Sequence, residues 1–190
     1  MQLTGVLSIG LLIAIAFLEL DNKGRVTNFD LVKKAKRLLL AWLAATVLFI
    51  LVQIAYLLDQ PITASFDLTV IRSYLTQTSI GKSYLIQIIG IIVVLAISLK
   101  KVISTYIALL ISLIAITAAV FQSHGSTSGH HGLAIGALVI HVIALSFWVG
   151  GLFGLTQLGK EHKLIALPRF SAIALWNAIT VALTGAATAW

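Results

Sequence analysis

The sequence contains no cysteine, only one methionine and few charged residues. Without cysteine, disulfides, iron–sulfur clusters and thiolate metal sites are excluded. The methionine is Met1, so a thioether site for copper(I) is excluded from this segment as well. Charged residues make up 10% of the 190 positions, whereas a soluble domain carries roughly 25%. This deficit excludes an ordinary soluble protein.

Long apolar runs take the place of the missing charge. Hydrophobic residues account for 59% of the chain, and the mean hydropathy is +1.06. Runs of about 20 apolar residues match a hydrocarbon core ~30 Å thick, and in lipid such runs must be helices. The sequence therefore predicts an all-α transmembrane bundle of about six spans, forming a single domain over 1–190. The predicted spans are 3–20, 38–58, 83–99, 102–121, 132–157 and 171–190.

The basic residues are distributed unevenly among the five predicted connections. Eleven of the 13 lysines and arginines fall in the first, third and fifth, at 21–37, 100–101 and 158–170. Because basic residues collect in cytoplasmic loops, both chain ends are predicted to lie outside. The net charge of +7 has this explanation and predicts the lipid bilayer, not nucleic acid, as partner.

Two connections carry apolar residues of their own. The second, 59–82, mixes apolar with polar residues and is predicted to form a short amphipathic helix on the outer surface. In the first, Phe29, Leu31 and Val32 precede Lys33 and could lie on the inner surface in the same way. The last span ends at Trp190 without a polar flank, so we expect the chain to be a piece of a longer polypeptide, at least at its C-terminus.

Histidines are the strongest chemical signal. Four of the five lie in or near the fourth connection, 122–131, here called the His-rich connection: His124, His130, His131 and His141. Neutral imidazole is the commonest metal-binding side chain and suits copper, zinc, nickel and iron. The connection has no lysine or arginine to repel a cation. The alternative is that these are ordinary polar loop residues.

His141 differs from the other three because it is predicted to lie inside the fifth span. It is about nine residues into the span, or ~13 Å below the outer surface. Ionisable residues at that depth are rare and usually functional. Trp148, two turns further along the same face, could form a wall of the site. The alternative is a neutral histidine that hydrogen-bonds a neighbouring helix.

Other polar and small residues have simpler interpretations. Gln53 and Gln87 are predicted in the outer leaflet, where they could line a polar path or support a histidine ring. Hydrogen bonding between helices is the alternative for each glutamine. The glycines of the fifth span are predicted to let helices approach closely: Gly132, Gly136, Gly150, Gly151 and Gly154. No nucleophile–histidine–acid set is present, so we predict no enzyme activity.

Several motifs together resemble the CopD copper-resistance family. They are Ser123-His-Gly125, then His131-Gly-Leu-Ala134, then His141 followed by Trp148-Val-Gly-Gly-Leu152. Two weaker similarities are Thr76-Gln-Thr-Ser-Ile-Gly-Lys82 and Pro168-Arg-Phe-Ser171. The arrangement is most similar to the actinobacterial type, in which a CopD region precedes a CtaG-like cytochrome c oxidase assembly region.

The resemblance implies a multi-pass plasma (inner) membrane protein that handles copper in resistance, uptake or delivery to oxidase assembly. It assigns His124, His131 and His141 as matching positions, and His130 is added by proximity. It also implies an extracytoplasmic copper-binding protein or an oxidase assembly factor as partner. Two features depart from the family: members of this type are longer, with a CtaG-like half missing here, and the first span is short.

Three functions remain open from the sequence. The first is a copper-transport module in which His124, with His130 or His131, captures a copper ion and His141 receives it. The second is a haem-binding electron-transfer protein, although His124 and His141 are offset by ~13 Å along the helix axis. The third is a structural assembly partner whose histidines are incidental.

Overall fold

A computed structural model of the chain describes residues 1–18, 28–118 and 131–189. Within these ranges, the long elements are all helices, as the sequence predicts. The elements are α1 (Gln2–Leu18), α2 (Phe29–Leu58), a 3₁₀ turn (Ile62–Phe66), α3 (Leu68–Gln77), α4 (Ser79–Ala96), α5 (Val102–Ala118), α6 (His131–Leu145), a π-helical turn (Ser146–Gly150), α7 (Gly151–Thr156) and α8 (Lys160–Ala189).

The first helix is the centre of the bundle. Helix α1 packs against α2, α5 and the continuous helix formed by α6, the π-turn and α7. Its side chains Ile9, Leu12 and Ile15 are fully buried. A helix surrounded on several sides needs apolar residues all round rather than on one stripe, and the sequence of α1 has that composition.

Helix α1 and the π-turn approach each other through glycines. A Cβ added at Gly10 would overlap the carbonyl group of Gly150, and one added at Gly150 would lie 2.6 Å from the carbonyl oxygen of Val6. One added at Gly154 would overlap the carbonyl oxygen of Gly10. Gly150 and Gly154 therefore pack helix against helix, as predicted, and Gly10 of α1 is their partner. Gly136 does not, because no atom lies within 4 Å of its added Cβ.

Four helical segments are long and apolar enough to cross a membrane: Phe29–Leu58, Ser79–Ala96, Ile135–Thr156 and Lys160–Ala186. Helices α1 and α5 are apolar but shorter, with 17 residues each. Each of the six predicted spans thus overlaps a helix within the described residues, and four of these helical segments have the length and composition of a membrane span.

The predicted start of the second span was wrong. Helix α2 begins at Phe29 rather than 38, and the side chain of Asn28 caps it by accepting a hydrogen bond from the Leu31 amide at 3.0 Å. Four of the six basic residues that were assigned to the first connection are part of this helix, namely Lys33, Lys34, Lys36 and Arg37. The other two, at 23 and 25, lie outside the described residues. Lysine and arginine are good helix formers. The low hydropathy of this segment therefore marks the boundary of the apolar run and not the start of the helix. Leu31 is buried in the bundle.

The predicted start of the sixth span was wrong for the same reason. Helix α8 begins at Lys160 and continues through Pro168, whereas the prediction was a connection over 158–170.

Helix α4 also begins earlier than predicted, at Ser79, where Thr78 caps it by accepting a hydrogen bond from the Gly81 amide. In the second connection, the predicted short helix is present as α3, with Tyr74 buried and Leu68 80% exposed.

Two lysines show that the basic connections lie at one end of the bundle, here called the basic end. The Lys36 ammonium donates a hydrogen bond to the carbonyl oxygen of Leu95, near the C-terminus of α4, at 3.1 Å. The Lys34 ammonium donates to Gln157 Oε1, between α7 and α8, at 3.2 Å. The residues beside the first, third and fifth predicted connections are therefore neighbours in space.

The glycine contact gives a direct test of the packing around α1. Gly10→Ala places a methyl group against the Gly150 carbonyl, and overpacking of this kind destabilises by about 1–3 kcal/mol. Gly136→Ala is the matched control, since it fills open space and removes backbone freedom, which stabilises a helix by roughly 0.5–1 kcal/mol. Thermal unfolding in detergent should rank the midpoints as Gly10→Ala below the parent and Gly136→Ala at or above it. A Gly10→Ala midpoint equal to that of Gly136→Ala would contradict the close approach.

Candidate metal centre

The predicted ligands are described by the structure to different extents. His124 and His130 lie outside the described residues. The backbone of His131 begins α6, and the position of its side chain is not described. His141 lies ten residues further along the same helix and is half-buried. Its side chain therefore supplies the geometry of the candidate site.

The imidazole of His141 contacts the last helix. Its Nδ1 lies 3.1 Å from Thr184 Oγ1 of α8, and Gly185 of the same helix lies against the ring. The pair links α6 to α8. This contact is the hydrogen bond to a neighbouring helix that the sequence allowed as the alternative interpretation.

The bonding of Thr184 indicates which nitrogen of His141 carries a proton. The Thr184 hydroxyl donates its single hydrogen to the carbonyl oxygen of Thr180, one turn earlier, at 2.6 Å. Its oxygen therefore accepts from the histidine, and Nδ1 is the protonated nitrogen. In the neutral form of such a ring, Nε2 carries the lone pair and is the nitrogen that can bind a metal. Metal-binding histidines commonly make such a hydrogen bond through their other nitrogen, so the contact with Thr184 is compatible with both interpretations.

The helix separates His131 from His141 instead of bringing them together. Ten residues of α-helix extend about 15 Å along the axis, much more than the distance that two ligands of one ion can span. Within the described residues, no group of three histidine, aspartate or glutamate side chains is close enough to hold a metal. The two histidines can therefore serve one ion only in succession.

Trp148 lies in the π-helical turn Ser146–Gly150, and its side chain is 37% exposed. A π-turn has a different number of residues per turn from an α-helix. The seven-residue spacing from which the prediction placed Trp148 on the same face as His141 is therefore interrupted. Its role as a wall of the site remains a prediction.

Gln87 forms a hydrogen bond between helices. It is fully buried, and its Nε2 donates to Thr46 Oγ1 of α2 at 2.7 Å, while the Thr46 hydroxyl donates to the Trp42 carbonyl oxygen at 2.8 Å. This agrees with the second interpretation of Gln87 and not with support of a histidine ring. Gln87 Oε1 and Trp42 Nε1 are buried without a hydrogen-bonding partner. Gln53 is half-buried on α2.

Comparison with known protein families gives one match. The model of the copper resistance protein D-like N-terminal domain matches residues 1–134, which is more than two thirds of the chain. The chain belongs to the copper resistance protein D-like family. The matched region of this copper resistance protein D-like chain contains the whole His-rich connection, and His141 follows seven residues after its end. No curated protein and no solved structure matches the chain.

Thr184 is the residue that sequence reasoning missed. A threonine in an apolar helix most often bonds to a carbonyl of its own preceding turn, and Thr180 and Thr184 both do so. The sequence offered only their four-residue spacing, which places them on one face of α8. That the face meets His141 depends on how α6 and α8 pack, and hydropathy does not contain this information.

The hydrogen bond predicts that Thr184 sets the tautomer of His141. In Thr184→Val the acceptor of Nδ1–H is lost, so both tautomers should be populated, whereas Thr184→Ser keeps a hydroxyl and should keep Nδ1–H. Thr180→Val is the matched control on the same helix, because the Thr180 carbonyl that accepts from Thr184 remains. Histidine ¹⁵N chemical shifts in metal-free protein, assigned with a His141 variant, report the tautomer. A Thr184→Val spectrum identical to that of the parent would show that the hydroxyl does not determine it.

Proposed function

We propose that this protein is a copper-handling module of the plasma membrane. In this proposal, a copper ion is captured at the end of the bundle opposite the basic end by His124 with His130 or His131. The ion then passes to Nε2 of His141. The observation that carries the proposal is the contact of His141 Nδ1 with Thr184 Oγ1, which leaves Nε2 for a metal, about 15 Å along α6 from His131. The chain also belongs to the copper resistance protein D-like family.

The proposal includes six spans with both chain ends outside. It is supported by the clustering of the first, third and fifth connections at the basic end, since basic loops remain in the cytoplasm. Helices α1 and α5, although only 17 residues long, extend about 26 Å, and α1 is enclosed by its neighbours. The His-rich connection would then face outside, where an extracytoplasmic copper-binding protein could deliver the ion. Oxidase assembly is one destination that the family resemblance suggests.

The chemistry of the ligands fits copper. Imidazole nitrogen is a good ligand for copper in either oxidation state, and a low coordination number favours copper(I). Two sites about 15 Å apart allow an ion to leave one before it is held by the next, which transport requires.

Haem binding has less support than copper binding. A haem between two helices needs a second histidine at the level of His141. In the described part of α8, Thr184 and Gly185 lie against the His141 ring, and the histidine of this helix, His162, is near its start. A Soret band in the purified protein would nevertheless overturn the copper proposal in favour of haem.

The test is copper binding by the purified protein in detergent or nanodiscs. The parent should bind copper in a fixed ratio, and His141→Ala should lose one tightly bound equivalent while its circular dichroism stays helical. His162→Ala, near the start of α8, is the matched control and should bind as the parent does. Variants of His124, His130 and His131 should slow the uptake of the ion into the inner site.

Two results would contradict the proposal. If His141→Ala binds copper like the parent, the ion does not pass through His141. If the parent binds no copper after purification without chelator, the histidines are incidental and the structural interpretation of the bundle is correct.

A further inference from the structure

The last helix is the least enclosed of the candidate spans. Only 11% of its apolar window is buried, against 28–33% in the other three. It packs mainly against α6 and makes smaller contacts with the π-turn and α7. Much of its surface is therefore left for lipid. A recess opens beside this helix, between it and α1.

The recess is an apolar cavity of about 220 Å³. Ile13 and Phe170, both buried, form its floor, and Phe17 and Ile173, both about 40–45% exposed, form its rim. Phe147 completes the apolar wall. The opening through Phe17 and Ile173 faces outward from the bundle. A cavity with these walls accepts hydrocarbon rather than water or an ion.

One cation lies at this cavity. Arg169 is the charged residue among its lining side chains, and its own side chain is exposed. Within the described residues, the salt bridge that the structure contains joins Lys33 to Asp30, and Arg169 is paired with no described carboxylate. Phe17, which also lines the cavity, is at the C-terminal end of α1, which leads into the first basic connection. Phe170, the neighbour of Arg169, packs with Leu31 near the start of α2 and with Leu158 before α8. The guanidinium therefore lies at the basic end.

The combination of a hydrocarbon recess and a guanidinium selects one class of ligand. Guanidinium binds phosphate through paired N–H groups. Basic pockets between helices on the cytoplasmic side attract the head groups of anionic lipids. We propose that the groove between α1 and α8 binds one anionic phospholipid, with its phosphate on Arg169 and part of an acyl chain against Ile13 and Phe170.

The site would fasten α8 to the centre of the bundle. Helix α8 carries Thr184, which orients His141, and the lipid would lie between the basic-end half of α8 and α1. Occupancy of the groove thus stabilises the packing of the least buried helix without adding a protein contact. The lipid site does not depend on copper binding and can be tested in metal-free protein.

The experiment measures lipid binding to the purified chain in detergent by native mass spectrometry and thermal unfolding. Phosphatidylglycerol, phosphatidylcholine and inorganic phosphate are added separately. Phosphatidylglycerol should bind as one resolved molecule and raise the unfolding midpoint. Phosphatidylcholine should have little effect because it carries no net charge, and inorganic phosphate should have little effect because it has no acyl chain.

Two variants separate the head group from the acyl chain. Arg169→Gln should weaken the binding of phosphatidylglycerol about five-fold, the factor that corresponds to one basic residue at an anionic surface. Ile173→Trp should fill the groove and weaken the binding of this lipid while keeping the positive charge. Lys100→Gln removes an exposed charge near the same end outside the groove and is the matched control, which should bind like the parent.

Each other outcome overturns the proposal. Equal binding of the two lipids would show that charge does not select the ligand. A midpoint raised equally by inorganic phosphate would assign a simple anion site to Arg169. A lower midpoint of lipid-free Arg169→Gln would show that the guanidinium makes a contact within the chain instead, and binding by Ile173→Trp at the parental level would place the lipid elsewhere.

Discussion

A polar side chain in a membrane span has no water to bond, so it must find its partner inside the protein. Many polar side chains of the described spans follow this rule in a simple way, whereas Trp42 Nε1 and Gln87 Oε1 are buried without a partner. Serines and threonines donate to the carbonyl one turn earlier in their own helix, as Ser112 does to Ala108 and Ser146 does to Val142. Gln87 uses Thr46 on another helix. A bonded hydroxyl has donated its hydrogen and can only accept further, which is why Thr184 determines the proton position on His141.

The same constraint gives the bundle its shape. With their polar groups satisfied within each helix, the helices can pack closely through small residues, and Gly10 meets Gly150 and Gly154 without side chains between them. This contact holds α1 in the centre. It also lies beside the π-turn that follows α6, so the helix that carries His141 is fastened to α1 on one side and to α8 on the other. The position of His141 thus depends on helix packing.

The sequence predicted the apolar helices well because membrane spans are specified by length and hydropathy alone. It misplaced the starts of α2 and α8 because the lysine-rich segments before the apolar runs, such as Lys33 to Arg37, are helical too. It identified His141 as unusual from its depth. It also predicted that His141 lies ~13 Å along the span that follows the His-rich connection, which agrees with the regular helix α6. It did not identify Thr184, whose importance comes from contact between distant segments. The family match reaches residue 134 and includes the His-rich connection.

The orientation of the bundle is the central claim, since copper capture outside and an anionic lipid at the cytoplasmic surface both require it. The absence of cysteine makes this measurable with single-cysteine variants and a membrane-impermeant maleimide on intact cells. Gln60→Cys, just after α2, should be labelled without permeabilisation. Lys100→Cys, between α4 and α5, should be labelled only after permeabilisation. Labelling of Lys100→Cys in intact cells, with Gln60→Cys protected, would reverse the bundle and contradict copper capture from outside.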